Sequence, residues 1–167
     1  METQLKFSEF QACLRRDLAI SDKRLSEPLF FEDPSVLPAL ILAYVGDAVF
    51  SLHARSAMLA VEANKVQVLH TLLARMASAP LQAQALYSIE ESLSEAEKIV
   101  VRRGRNARSR VPRSSSVSEY RSSTGLEALL GYLYLARQQE RLEQILQQVV
   151  GFMYRSLASE VEGDAKS

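Results

Sequence analysis

Over residues 36–52, apolar side chains return with the period of an α-helix and not that of a strand. Leu37, Leu40, Ile41, Tyr44, Val45, Ala48, Val49 and Leu52 fall at i, i+3, i+4, i+7, i+8, i+11, i+12 and i+15, the spacing of one helical face. This predicts a helix over about 35–60 with that set as its core stripe. No segment alternates polar and apolar residues as a half-buried strand does, and no internal repeat appears. The expected fold class is all-α, a helical bundle. At 167 residues the chain fits one domain with a core of its own.

Further helices follow from the same periodicity. A second, about 64–78, carries Val68, Leu69, Leu72, Leu73 and Met76, and a third, about 79–90, has Pro80 in its first turn, where a missing N–H does little harm. Ser94 and Glu97 form a capping box that starts a fourth helix, which carries Ile99 and Val100 and runs into Arg102-Arg103-Gly104-Arg105-Asn106. Residues 109–117, with proline, serines and charge but no periodicity, read as loop. Ser118 is expected to cap a fifth helix to about 137, and a sixth runs from Glu140 to about 158. Residues 1–33 read as an N-terminal extension with one short helix around 7–19, residues 34–158 as the main domain and 159–167 as a tail.

Several function classes are excluded by composition. The single cysteine, Cys13, leaves no internal disulfide, and with His53 and His70 alone a Cys/His zinc site has too few ligands. The longest apolar run is too short to span a bilayer, so no membrane partner is expected. The charged start, METQLKFSEF, has no apolar signal core, and the expected location is cytoplasmic.

Two carboxylates interrupt the most apolar stretches. Asp47 stands in LPALILAYVGDAVF and Glu127, about eighty residues on, in TGLEALLGYLYL, with no Lys or Arg within reach on either stretch. Stripping a carboxylate of water costs several kcal/mol unless something pairs with it. Helical mapping puts both at the edge of a core stripe, where they could meet across a helix–helix seam. Gly46 and Gly131 beside them let another backbone or a ligand approach. Such a seam suits Mg²⁺, which keeps several waters and needs one or two carboxylates. On spacing alone, solvated acids at the rim of the core are the favoured reading. Tyr44 and Tyr132 read as core residues with a hydroxyl partner, and His70 as packed or solvated.

The net charge of zero conceals a basic island. From Val101 to Arg121 there are seven arginines, Arg102, Arg103, Arg105, Arg108, Arg110, Arg113 and Arg121, against one acid, Glu119. The window carries +6 and the remainder of the chain −6. Arginine forks with glycine and asparagine among them suit phosphates. With Tyr120 the one aromatic nearby, a double helix read through its backbone fits better than stacked single strands. Arg102, Arg103, Arg105, Asn106, Arg108, Arg110, Arg113 and Arg121, with Lys65 as a weaker addition, are the candidate phosphate-binding residues. The alternative is a solvated basic loop complementing a helix C-terminus.

AYVGDAVF, RRGRNAR and EYRSSTGLEALLGYLYL, in that order and spacing, closely resemble Mini-ribonuclease III, the small branch of the ribonuclease III family that lacks a double-stranded-RNA-binding domain. VLHTLLARMASAPLQAQAL resembles that branch's segment between the first and third motifs, and the likeness covers about residues 36–150. The resemblance implies an all-helical, homodimeric endonuclease domain that cuts both strands of double-stranded RNA, leaving 5′-phosphate and 3′-hydroxyl ends. It implies Mg²⁺ held by Asp47, which matches the family's GDA motif, and by Glu127, which matches its EAL motif. The usual substrate is a precursor of large-subunit ribosomal RNA, and a ribosomal protein that presents the RNA is a further candidate partner. Larger family members carry a Glu four residues before that Asp and an Asp three before that Glu. Ala43 and Thr124 stand there in this chain, a reduction the small branch shares. The rival expectation is a catalytically silent RNA-binding module acting in ribosome assembly, and retention of both acids favours the enzyme.

Overall fold

Helix α5, Val117–Leu135, organises the architecture because its middle is buried on every side. Ser122 to Leu126, Ala128 to Gly131 and Leu133 are all buried along it. Small residues on some faces and leucines on others let neighbouring helices approach all round. The structure is a computed structural model that describes Phe31, residues 33–107 and residues 116–164, with side chains to residue 159. The chain divides into Met1–Phe31 and Glu32–Ser167, and the second unit holds all that follows. The helix expected at 7–19, Cys13 and the arginines Arg108, Arg110 and Arg113 lie outside the described residues.

Around α5 pack α1 (Ala39–Met58), α3 (Ala79–Ile89), α4 (Glu95–Asn106) and α6 (Gln139–Asp164). A 3₁₀ turn, Pro34–Val36, precedes α1, and another, Glu90–Ser92, links α3 to α4. Helix α2 (Val66–Met76) is anchored through Leu73 and Met76, its two buried residues. No strand occurs among the described residues, in agreement with the all-α expectation. The main core joins Phe50, Ala54 and Met58 of α1 to leucines of α5 and to Ile145, Val149 and Met153 of α6. Each fully buried side chain of this size stabilises the fold by about 1.5–3 kcal/mol.

The face that α1 buries is not the one its periodicity points to. Leu42, Ala43, Gly46, Phe50, Ala54 and Met58 are buried, while Tyr44 is 79% and Leu52 70% exposed, with Leu40, Ile41 and Ala48 also outside. The expected core stripe is therefore largely an outer apolar face, and Tyr44 is not a core residue. Tyr132 does pack against the core. The reason is steric. Alanine and glycine let α1 approach α5 far more closely than a row of leucine and tyrosine would, and the first half of α1 is apolar on both sides.

Capping residues set the other boundaries. Ser94 accepts from the Glu97 N–H at 3.3 Å and its own N–H donates to Glu97 Oε2 at 2.8 Å, the expected capping box. The cap of α5 is Ser116 rather than Ser118, because Glu119 stands three residues after Ser116 and returns its N–H bond at 3.0 Å. Glu97, 4% exposed, also receives Arg141 through Nε at 2.8 Å and Nη2 at 3.0 Å, clamping α4 to α6. Burial works against its charge, but the Arg141 bonds and the Ser94 N–H together hold its pKa below the ordinary value.

Candidate active site

Helices α1 and α5 cross with almost nothing between their backbones. A Cβ on Gly46 would stand 1.8 Å from the carbonyl oxygen of Glu127, and one on Gly131 1.9 Å from that of Leu42. No side chain fits at either position, so the two glycines permit the crossing. Asp47 follows Gly46, and Glu127 is the residue whose carbonyl faces it. The contact that requires glycine therefore also brings the two acids together.

Their surroundings differ. Asp47 is exposed and Glu127 half-buried. Loss of water, then the neighbouring charge of Asp47, raises the Glu127 pKa to about 7, against a hydrogen bond from the Gln82 side chain that favours the anion. Gln82, 2% exposed, is the one polar side chain that α3 buries. Among the described residues no Lys or Arg forms a salt bridge with either acid. No group of three or more His, Cys, Asp or Glu side chains comes together there. Two converging oxygen donors with no salt-bridge partner among the described residues fit a cation that brings its own waters, as Mg²⁺ does. Ala43 is buried against Leu42, Val100 and Ala128, and the Thr124 hydroxyl donates to the Tyr120 carbonyl at 3.0 Å. Neither position supplies a third carboxylate.

The basic island divides into two kinds of arginine. Arg103 donates to the carbonyl oxygens of Ser35 and Leu37 ahead of α1, the second at 2.7 Å. Arg105 pairs with Glu90 at 3.2 Å and bonds Ser122 Oγ at 3.3 Å, with its guanidinium 5.3 Å from the centre of the Tyr87 ring. These two tie the end of α4 to its neighbours. Arg102, Asn106 and Arg121 are exposed, as is Lys65 just before α2. Gln82 is the residue that sequence reasoning missed. In LQAQAL the only signal is an amide among apolar neighbours, and Gln84, two residues on, gives the same signal yet is exposed.

Comparison with known proteins agrees with this geometry. The Ribonuclease III domain family matches residues 40–138. A Mini-ribonuclease 3 of Symbiobacterium thermophilum is 44% identical over 124 residues, covering 74% of this chain and 95% of that protein. One from a Thermoanaerobacter species is 46% identical over 112 residues, covering 66% and 79%. A crystal structure of a Fusobacterium nucleatum protein superposes with a TM-score of 0.64 at 29% identity, covering 70% of this chain and 93% of that one. The chain belongs to the ribonuclease III family of endoribonucleases, in its Mini-ribonuclease 3 branch.

Proposed function

We propose that this endoribonuclease is Mg²⁺-dependent and cuts both strands of double-stranded RNA, with a precursor of large-subunit (23S) ribosomal RNA as substrate and the cytoplasm as its place of action. The carrying observation is that Asp47 and Glu127 converge at the α1–α5 crossing with no salt bridge to a cation among the described residues. Asp47 and Glu127 would hold the ion, which when bound neutralises the scissile phosphate and lowers the pKa of a coordinated water. The products are 5′-phosphate and 3′-hydroxyl ends. Residues 34–158 form the catalytic unit, flanked by the 1–33 extension and the 159–167 tail.

Arg102, Asn106, Arg121 and Lys65 contact the duplex backbone together with Arg108, Arg110 and Arg113. Arg103 and Arg105, expected as binding residues, serve first to hold α4 in place. Phosphate contacts fix position without reading sequence, so a ribosomal protein that presents the precursor fits the same reading. Cutting two strands requires two sites related by a two-fold axis, and a homodimer supplies them. Its interface is the outer apolar face of α1, with Leu40, Ile41, Tyr44 and Leu52 exposed beside Asp47. Sedimentation tests this, because Tyr44→Arg changes an exposed side chain and should give a folded monomer.

Asp47→Asn tests the metal reading. The side chain is exposed, so the variant should fold and bind duplex RNA while losing Mg²⁺-dependent cleavage. Cleavage at the wild-type rate would remove the metal assignment. Cleavage absent from both proteins, with duplex binding intact, would favour the silent RNA-binding module.

A further inference from the structure

We propose that Tyr87 binds the RNA backbone: its hydroxyl, aligned from behind by Ser122 and Arg105, donates a hydrogen bond to a non-bridging phosphate oxygen of the duplex. The proposal deepens the duplex-binding reading above and rests on it. Tyr87 stands near the end of α3 and is 46% exposed. Ser122 of α5, 1% exposed, places its Oγ 3.0 Å from the Tyr87 hydroxyl. Arg105 of α4 donates through Nη2 to Ser122 Oγ at 3.3 Å, with its guanidinium 5.3 Å from the centre of the Tyr87 ring. Glu90 holds the same guanidinium at 3.2 Å, so Arg105 is committed within the protein and Tyr87 is the group it presents.

The direction of these bonds follows from what each group can give. A guanidinium only donates, so Ser122 Oγ accepts from Arg105. The buried serine hydroxyl must still place its own proton, and the Tyr87 oxygen lies within bonding distance to accept it. Ser122 therefore donates to Tyr87, which turns the phenolic proton outward. Bonds chained in this way strengthen one another. Ser122 first, and then Arg105, also hold the Tyr87 pKa below its ordinary value, which makes the phenol a better donor. A phosphate oxygen is the acceptor the surroundings favour, because exposed Arg121 adjoins Ser122 on α5 and exposed Asn106 adjoins Arg105 on α4. Ser122 stands five residues before Glu127, about 7.5 Å along the helix axis, well within one turn of a duplex.

The experiment titrates the full chain, in EDTA to prevent metal-dependent cleavage, into a labelled synthetic RNA duplex over a range of salt. Tyr87→Phe should weaken binding about tenfold, the loss of one hydrogen bond to a charged acceptor. The slope of log affinity against log salt should stay as in wild type, because no cation is removed. Methylphosphonate linkages, introduced one at a time, then locate the contact. One of them should weaken wild type about tenfold and leave Tyr87→Phe as it was. Affinity of the variant within about twofold of wild type overturns the proposal. So does an equal penalty in both proteins at every linkage, the mark of a merely structural tyrosine. A difference abolished by a single 2′-deoxy substitution, and by no methylphosphonate, assigns the hydroxyl to a ribose and overturns the phosphate contact. Should Tyr87→Phe fail to fold, the wild type answers: its Tyr87 ring resonance should move as duplex is added, and a resonance indifferent to duplex refutes the role. Arg102→Ala separates the two readings. If it too leaves affinity and salt slope unchanged, the duplex-binding reading and the Tyr87 role fall together. If it weakens binding while Tyr87→Phe does not, only the Tyr87 role falls.

Discussion

Glu127→Gln should make the metal-free protein more stable at pH 8 and leave it unchanged in acid. The pKa of Glu127 rises from its ordinary 4.5 to about 7, chiefly through lost water and then through the charge of Asp47. The folded state thus holds this proton more tightly than the unfolded chain does. Below pH 4.5 both states are protonated and nothing is lost. Between 4.5 and about 7 the folded state becomes progressively disfavoured, and above that the penalty is complete. At about 1.4 kcal/mol per pKa unit the shift corresponds to about 3 kcal/mol, an upper limit because a half-buried carboxylate keeps part of its hydration. Glutamine cannot ionise and has nearly the same shape. Urea unfolding in EDTA at pH 5 and pH 8, at matched protein concentration, measures the difference. With an m-value of about 1–3 kcal/mol per M, the pH 8 midpoint of the variant should rise by about one molar or more, and the pH 5 midpoint by much less. Saturating Mg²⁺ should reverse the order, because only wild type gains the binding free energy. A variant no more stable than wild type at pH 8 in EDTA would refute the account of Glu127 as a desolvated, uncompensated acid.

Gly131→Ala places a methyl group 1.9 Å from the Leu42 carbonyl oxygen. It should cost about 1–3 kcal/mol or more in urea unfolding and lower kcat by parting the acids; wild-type values for both would show the crossing to be looser than described. Arg141→Ala leaves the buried Glu97 carboxylate without its clamp and should cost about 3–5 kcal/mol near neutral pH. Because the folded pKa of Glu97 lies below its ordinary value of 4.5, this contribution is present above that value and lost as pH falls through the folded pKa. The gap between wild type and variant should therefore close in acid, and a gap independent of pH would contradict the assignment. Arg102→Ala should weaken duplex binding and reduce its salt slope by about one without changing the melting temperature, whereas Arg105→Ala should lower the melting temperature first. The opposite pattern would reverse the division of the arginines.

Helix count, the Ser94–Glu97 box and the two interrupting acids were legible because each depends on neighbours close in sequence. The orientation of α1 was not. Leu40, Ile41, Tyr44 and Leu52 make the stronger hydrophobic stripe, yet the face that enters the core is the one with Ala43, Gly46 and Ala54. Periodicity weighs how apolar a face is, whereas the crossing selects how flat it is, and flatness depends on Gly131 about eighty-five residues away. Arg103 and Arg105 were illegible for a related reason. A run of arginines shows charge density, but their ties to Leu37 and Glu90 appear only once α4 is docked. The amide of Gln82 was hidden by the same dependence on tertiary contact.

The sparseness of the site follows from the same crossing. Approach close enough to seat Gly46 on the backbone of α5 leaves Ala43 packed against Val100 and Ala128, and Thr124 bonded back into its own helix. A longer acid at either position would have to enter the interior, since Ala43 and Thr124 are both buried. Burial and then the charge of Asp47 already raise the Glu127 pKa to about 7, so each further carboxylate would raise the cost of the ion-free state. Two acids, one exposed and one half-buried, keep that cost low enough for the fold to stand without an ion. If they hold Mg²⁺ as proposed, they would leave most of its coordination to water and to the RNA phosphate. On the proposed metal reading, two acids would need substrate to complete the coordination, which would tie full assembly of the site to the arrival of a duplex.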